Sequence, residues 1–320
     1  MFRLQAVERR PVVPWVGVLL SASIVPTLAC EPPPVTEKGS PVPAANVTSS
    51  PAPSGDGCEN PQRSLDPEAS PIQYIVSFPE AQQHYVQVAA TFPTDGRSAI
   101  ELMMATWTPG SYLIREYARN VERVVASDQG GGPLSVEKVS KNRWRVATGG
   151  NAQVLVTYRV YGREMTVRNN WVEDDFALIN GAPTFLTLVD GTTRRHDVRM
   201  SPPRAWRKVI SALPNHKDSR LHFKAMDYDT LVDSPFLVGN PAIDTFEVEG
   251  KEHVLAHLGG DDVWDTARSR ADVKRLGEEE TAFWGQVPYE RYVFLNLLTE
   301  TYGGLEHRDS TVLMFSRWGS

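Results

Sequence analysis

The chain has 320 residues, enough for two domains, and its 41% hydrophobic and 22% charged content is that of a soluble globular protein. Its formal net charge of −6 provides no basic surface for nucleic acid, so we expect no nucleic-acid partner. Two cysteines are too few for a disulfide scaffold, which excludes the small disulfide-rich classes of secreted protein.

The N-terminus resembles a bacterial export signal. Arginines within the first ten residues precede an apolar stretch at 12–28, which has the length of a signal-peptide core. The sequence Thr27-Leu28-Ala29-Cys30 follows, and small residues before a cysteine resemble a lipobox. We therefore predict that residues 1–30 are a signal peptide with a lipobox and that Cys30 is lipidated. The protein would then be exported and anchored to a membrane of the bacterial cell envelope, facing the periplasm or the cell surface.

Two other interpretations of the N-terminus also export the chain: simple cleavage after Ala29, and an uncleaved membrane anchor. Without lipidation, Cys30 and Cys58 could form a disulfide in an oxidising compartment. Residues 31–70 are rich in Pro, Ser, Gly and Ala and contain few large apolar side chains. Such a segment buries too little surface to offset the entropy of ordering, so we predict a disordered tether.

Short strands follow the tether, because apolar and polar residues alternate from residue 72 onward and turn residues recur between the runs. The predicted strands are 73–78, 84–92, 98–107, 134–139, 143–146, 154–161, 176–179, 184–188, 196–200 and 208–211. This spacing is typical of a β-sandwich. We predict an antiparallel β-sandwich-like domain over residues 71–245, in a chain that is mainly β.

Two segments of this domain stand out. The first is the run Trp107-Thr-Pro-Gly-Ser-Tyr112, continued by Ile114-Arg-Glu-Tyr-Ala-Arg-Asn-Val121, in which a strand leads into a Pro-Gly turn. The second is the Asp-rich segment 227–235. Its aspartates are explained by helix capping and by a turn, since the Gly and Glu that a calcium-binding EF-hand loop requires are missing.

The histidines His253 and His257 are four residues apart, a spacing that binds zinc from one face of a helix. However, Val254 stands where a zinc peptidase needs glutamate, and the surrounding residues alternate like a strand. In a strand, positions four apart are about 13 Å apart, too far for one ion. We therefore predict no zinc site here.

A helix is predicted to begin after Asp261-Asp262 and to run to about Gln286, with a break near Gly277. Its apolar positions are predicted to be Val263, Ala267, Ala271, Phe283 and Trp284. A buried strand over 292–298 and a short strand over 311–315 complete the chain. Between these two strands lies the run Tyr302-Gly-Gly-Leu-Glu-His307, where paired glycines allow close backbone approach to a ligand.

The run at 302–307, the run at 107–121 and the segment 227–235 together resemble the glycyl aminopeptidase family, whose members are zinc metallopeptidases of the gluzincin type. The resemblance implies that residues 246–320 form the start of an α+β, thermolysin-like catalytic subdomain, incomplete here. It implies that Glu306 binds the α-amine of a peptide substrate and that the backbones of Gly303 and Gly304 line the cleft. Leu305 and His307 belong to the same substrate-binding segment, and the resemblance gives His307 no role.

The family's zinc motif, His-Glu-x-x-His, is absent from the sequence, so the zinc that the resemblance implies has no ligands in this chain. We therefore expect the chain to be inactive by itself, as the N-terminal portion of an exported aminopeptidase. A partial catalytic domain should also expose apolar surface, through Trp284, Phe294 or Phe315. The alternatives are a non-catalytic surface lipoprotein with a β-sandwich binding or structural domain, and an enzyme completed by a separate chain.

Overall fold

The computed structural model describes residues 69–260 and 263–318. The predicted signal peptide, the lipobox with Cys30, nearly all of the 31–70 tether and Asp261-Asp262 lie outside the described residues. The described residues fall within one compact unit.

The first part of the described chain is made of short strands, as the alternating pattern predicts. The strands are, in chain order, β1 (Ile72–Ser77), β2 (Tyr85–Pro93), β3 (Ala99–Met104), β4 (Val121–Ser127), β5 (Pro133–Leu134), β6 (Val136–Ser140), β7 (Arg143–Ala147), β8 (Gln153–Tyr161), β9 (Trp171–Val172), β10 (Ala177–Ile179), β11 (Leu186–Leu188), β12 (His196–Ser201), β13 (Lys208–Ile210), β14 (Asn215–His216), β15 (Ser219–Ala225) and β16 (Phe236–Gly239). A short helix, α1 (Tyr228–Val232), precedes β16, and two 3₁₀ turns lie at Ala81–Gln83 and Tyr117–Asn120.

These strands form three sheets that share one hydrophobic core. The sheets have the strand orders β14-β15-β12-β1-β2-β8-β4-β5, β11-β3-β7-β6 and β13-β16-β10-β9. Val88 and Val156 from the first sheet, Leu102 from the second and Phe236 from the third all lie in this core. The prediction of a mainly β chain is confirmed. The strand pairing is antiparallel except between β1 and β12, which run parallel.

The last part of the chain forms a mixed sheet. Its strands are β17 (Ala242–Val248), β18 (Lys251–Leu258), β19 (Arg291–Thr299), β20 (Gly303–Glu306) and β21 (Ser310–Ser316), in the order β17-β18-β19-β21-β20. β19 is parallel to both β18 and β21, whereas β20 is antiparallel to β21. The predicted domain division at residue 245 stays a prediction, and β17 runs across it.

One face of the mixed sheet packs against the preceding domain. Leu295, Leu305 and Val312 of the sheet share a buried cluster with Val167 and Leu237, which precede the sheet in the chain. Burying side chains of this size stabilises by about 1.5–3 kcal/mol each, so this contact fixes the sheet against the domain. The edge of the sheet is therefore held next to loops of the domain.

The predicted helix exists as α2 (Thr266–Trp284), after the cap Asp265, whose carboxylate accepts from the backbone N–H of Arg268. It continues through Gly277, where a break was predicted. A Cβ there would lie 3.3 Å from the Val248 side chain, so Gly277 marks a close approach of helix and sheet. The predicted apolar positions do not face a core, since no α2 residue is buried and Phe283 and Trp284 are 77% and 66% exposed.

His253 and His257 lie in β18, as the alternation predicts. The His253 Nε2 atom is 2.9 Å from the Tyr289 hydroxyl, and the His257 Nδ1 atom is 3.2 Å from the Asn296 amide. Burial lowers the pKa of both imidazoles. Each histidine therefore has a separate structural partner: Tyr289 lies in the loop before β19, and Asn296 lies in β19.

Candidate functional site

The strand β20 contains four of the five predicted site residues and lies at the edge of the mixed sheet. Among the described strands it pairs only with β21, from Gly303 opposite Met314 to Glu306 opposite Thr311. Leu305 is buried and anchors the strand, while Gly304 and Glu306 are exposed on the opposite side. This alternation follows from the period of two along a strand. The Glu306 carboxylate has no basic partner within 4.0 Å in residues 69–260 and 263–318.

The Pro-Gly turn at 107–112 contacts this edge strand. Ser111 N donates to Thr108 O over 3.1 Å, and Gly110 has φ of +79°. A Cβ at Gly110 would lie only 2.7 Å from the backbone oxygen of Glu306 and 2.8 Å from a methyl carbon of Leu305. Glycine is therefore needed here for both its conformation and its size. Two segments separated by almost two hundred residues thus meet at β20.

A second loop of the domain contacts the other end of β20. A Cβ at Gly303 would lie 3.3 Å from a methyl group of Val167, which is itself buried. At Gly304 the nearest atom to a Cβ would be a Leu313 methyl at 3.5 Å, an ordinary contact distance. A larger residue at position 303 would therefore require Val167 to shift by a few tenths of an ångström, whereas at Gly304 the lack of a side chain leaves the exposed side of the strand open.

The Asp-rich segment also reaches the edge strand. The His307 ring nitrogen Nδ1 is 2.8 Å from Asp233 Oδ1, and Arg308 N donates to Asp233 Oδ2 over 3.0 Å. The His307 side chain is fully buried and that of Asp233 is 17% exposed. Asp233 caps the C-terminal end of α1, so its carboxylate links the end of β20 to the domain. His307 thus has a structural position, while its Nε2 has no hydrogen-bond partner in the described chain.

Tyr292, at the start of β19, lies beside the same end of the edge strand. Its hydroxyl donates to the backbone oxygen of Ser310 over 3.0 Å. Burial raises the pKa of the Tyr292 hydroxyl well above its usual value, and the nearby Tyr289 hydroxyl and the carboxylates of Glu306, Asp233 and Asp309 add to the shift. This end of the strand therefore carries several carboxylates, which favours a cationic ligand. Sequence reasoning missed Tyr292, because its position at the start of an apolar run indicates only burial.

The described residues do not fit a zinc ion. They contain no group of three His, Cys, Asp or Glu side chains close enough to hold a metal. In the candidate site, His307 leaves Nε2 without a partner, but this single imidazole cannot hold a zinc ion without further ligands. We therefore derive no chemical step through zinc from these residues.

A match to a known protein family covers the part of the chain that contacts β20. Residues 73–240, just over half of the chain, match the model of the peptidase M61 N-terminal domain. The chain belongs to the peptidase M61 family. The run at 107–121 and the segment 227–235 lie inside the matched M61 region, and β20 lies beyond it. The structure therefore brings an edge strand outside the M61 N-terminal domain into contact with two segments within it.

A solved structure similar to this M61 chain is that of an aminopeptidase N family protein from Idiomarina loihiensis, with 30% identity and a TM-score of 0.73. The match covers 77% of this chain and 42% of the other, so the chain spans less than half the length of that relative. An M1 zinc metallopeptidase from Deinococcus radiodurans, in a mutant form, is more distant, with 13% identity, a TM-score of 0.46 and coverage of 76% and 59%. None of the curated proteins matches the chain.

Proposed function

We propose that this chain provides the peptide-binding edge of an exported zinc metallo-aminopeptidase. The observation that carries the proposal is the exposed Glu306 carboxylate on a sheet-edge strand, with no basic partner in the described residues. Membership of the M61 family and the similarity to an aminopeptidase N family protein support a peptidase-related role.

In this proposal, an extended peptide lies along β20 as an added strand and forms backbone hydrogen bonds with it. The Glu306 carboxylate accepts charge-assisted hydrogen bonds from the α-amine and sets where the peptide begins. The exposed Gly304 leaves room for the peptide backbone, and Leu305 holds the strand in the core. We assign binding and orientation to these residues.

Hydrolysis is not assigned to residues 1–320, because they contain no His-Glu-x-x-His sequence. In an aminopeptidase of this class, zinc supplies an activated water molecule. We propose that this chain alone binds peptides without cleaving them. Failure to bind peptides would instead favour the alternative role of a surface lipoprotein with a β-sandwich binding or structural domain.

Glu306→Gln tests the proposal, because the amide keeps the size of the side chain and removes its charge. We expect affinity for a tripeptide with a free α-amine to fall about tenfold, since a charge-assisted hydrogen bond is lost. Isothermal titration calorimetry on the full chain measures the change. Glu300→Gln is the matched control, as an exposed glutamate near the same strand. Equal losses in both variants, or equal binding of the N-acetylated tripeptide by the unaltered chain, would contradict the role of Glu306.

We also propose that the chain is exported and lipidated at Cys30. In residues 69–260 and 263–318, no helix has the length and apolar character needed to span a membrane. For an N-terminal lipoprotein, replacing the modified cysteine removes the acyl chain. In a bacterial host fed radiolabelled palmitate, we expect Cys30→Ser to lose the label and Cys58→Ser, the matched control, to keep it. An unlabelled parent chain released by cleavage after Ala29 would refute lipidation.

A further inference from the structure

A cluster of two arginines and a tyrosine lies on the loops that contact the edge strand. Arg115 and Tyr117 follow the turn in which Gly110 touches β20, and Arg168 follows Val167, which touches the other end of β20. The charges of both arginines act on the Tyr117 hydroxyl, so the three groups are neighbours. The proposed amine-binding role of Glu306 uses none of them.

Two polar atoms of this cluster lack partners in the described residues, although Arg115 also donates through its guanidinium to the Ser111 hydroxyl over 3.4 Å. Tyr117 is only 3% exposed, and its hydroxyl has no hydrogen-bond partner within the described residues. The Nε atom of Arg115 is also buried and has no partner there. Leaving a buried donor unpaired is unfavourable, and most buried polar groups in native proteins are paired. Two unpaired donors on residues two positions apart in the chain therefore indicate a hydrogen-bond acceptor from outside the cluster.

The charge balance of the cluster also favours an anion. Neither Arg115 nor Arg168 has a carboxylate within 4.0 Å in the part of the chain that the structure describes. Glu164 is near enough to act on Tyr117, but it pairs with Arg119 at 3.7 Å. Both arginines are partly exposed, so a ligand can reach them from solvent.

We propose that Arg115, Tyr117 and Arg168 form an anion site that binds a carboxylate of the peptide held on β20. A guanidinium group presents N–H donors that match the two oxygens of a carboxylate. Tyr117 adds a neutral donor, since burial raises its pKa to about 12, against the opposing effect of the two arginines. The carboxylate belongs either to the C-terminus of a short peptide or to an acidic side chain. The peptide part of this inference rests on the proposed function, and the anion site does not.

Acetate is the probe for the anion site itself. In the full chain, we expect titration with acetate to give saturable shifts of the Arg115 Nε–H resonance in NMR spectra. Tyr117→Phe, which removes only the hydroxyl, and Arg168→Gln should each weaken acetate binding by about tenfold. Arg163→Gln is the matched control, because Arg163 is an exposed arginine of the same loop that does not act on Tyr117. No saturable shift, or an equal loss in the control, would overturn the anion site.

Peptides then identify the source of the carboxylate. We expect the unaltered chain to bind short glycine-alanine peptides with a free C-terminus about tenfold more tightly than their C-terminal amides, with the preference lost in Arg115→Gln. If a peptide with a C-terminal amide regains affinity when a glutamate is introduced into it, the bound carboxylate comes from an acidic side chain. Peptides that bind through their amine with no preference for a carboxylate would overturn this assignment while the proposed function stands. Acetate binding without peptide binding would retain the anion site and refute the proposed function.

Discussion

Asp233→Ala is expected to lower the free energy of unfolding by about 2–3 kcal/mol. The substitution removes the acceptor for the buried His307 ring and for the backbone N–H of Arg308. The His307 ring cannot turn to solvent in the folded state, because its side chain is fully buried. Its Nδ1–H donor is then left unpaired, which accounts for most of the loss. Urea unfolding followed by circular dichroism measures the change.

A histidine–aspartate pair on the surface provides the matched control. His216 Nδ1 is 3.3 Å from Asp218 Oδ2, but the Asp218 side chain is 86% exposed, so Asp218→Ala should cost no more than about 0.5 kcal/mol. Asp233→Asn should lie between the two alanine variants, because its amide keeps one acceptor and presents N–H groups to the other donor. Equal destabilisation by Asp233→Ala and Asp218→Ala would show that the buried contact does not hold the edge strand.

Hydrogen exchange can locate the effect of Asp233→Ala in the structure. If Asp233 holds β20 against the domain, the β20 amides should lose protection before those of the central strand β19. Uniform loss of protection across both strands would instead mean that Asp233 stabilises the fold without a specific effect on the edge. This measurement needs no peptide and is independent of the proposed function.

Much of the β-structure follows directly from the sequence, because a half-buried strand alternates with a period of two. β8, for example, has inward-facing Val154, Val156 and Val160, and it was predicted almost to its ends. The strand β4 was missed for a physical reason. Arg123 has φ of +53°, and the register of β4 against β8 shifts between Glu122 and Val125. Such a bulge interrupts the alternation on which the prediction depends.

Helix α2 was predicted, but its exposure to solvent was not. The existence of the helix and its end near Gln286 follow from the sequence, but the helix begins at Thr266, after the cap Asp265, and not directly after Asp261-Asp262 as predicted. The sequence does not predict how little of the helix is buried, because Phe283 and Trp284 are apolar and yet exposed. The exposure of Trp284 agrees with the expectation that this part of the chain presents apolar surface, whereas Phe294 and Phe315, named in the same expectation, are partly buried. Hydrophobicity alone does not tell a core position from an exposed apolar one.

The sequence predicts which segment forms the candidate site, but it does not predict which distant residues that segment contacts. Gly303, Gly304 and Glu306 were identified through resemblance, and the structure places them on one edge strand. The contact between His307 and Asp233 joins residues 74 positions apart, and nothing in the local pattern of either residue requires the other. Similarly, the sequence identifies Arg115 only as part of the run at 107–121. Its relation to Arg168 depends on how two loops meet in space.

Gly110→Ala is expected to lower the free energy of unfolding by about 2–4 kcal/mol, from two effects that act together. Any residue other than glycine is strained at φ of +79°. In addition, the new Cβ would lie 2.7 Å from the backbone oxygen of Glu306. The Leu305 methyl nearby can rotate away, whereas the Glu306 oxygen belongs to a strand paired with β21 and can move only with that strand. Urea unfolding measures the loss.

Gly96→Ala separates the two effects, because Gly96 has φ of +74° and no atom within 4 Å of its Cβ position. We expect it to cost about 1 kcal/mol, from backbone strain alone. The excess loss in Gly110→Ala then measures the contact between the Pro-Gly turn and the edge strand. That excess should be accompanied by weaker peptide binding, since relief of the overlap displaces Glu306, whereas Gly96→Ala should leave binding unchanged. Equal destabilisation by the two variants would mean that the turn and β20 do not press on each other, and the turn would then have no part in positioning Glu306.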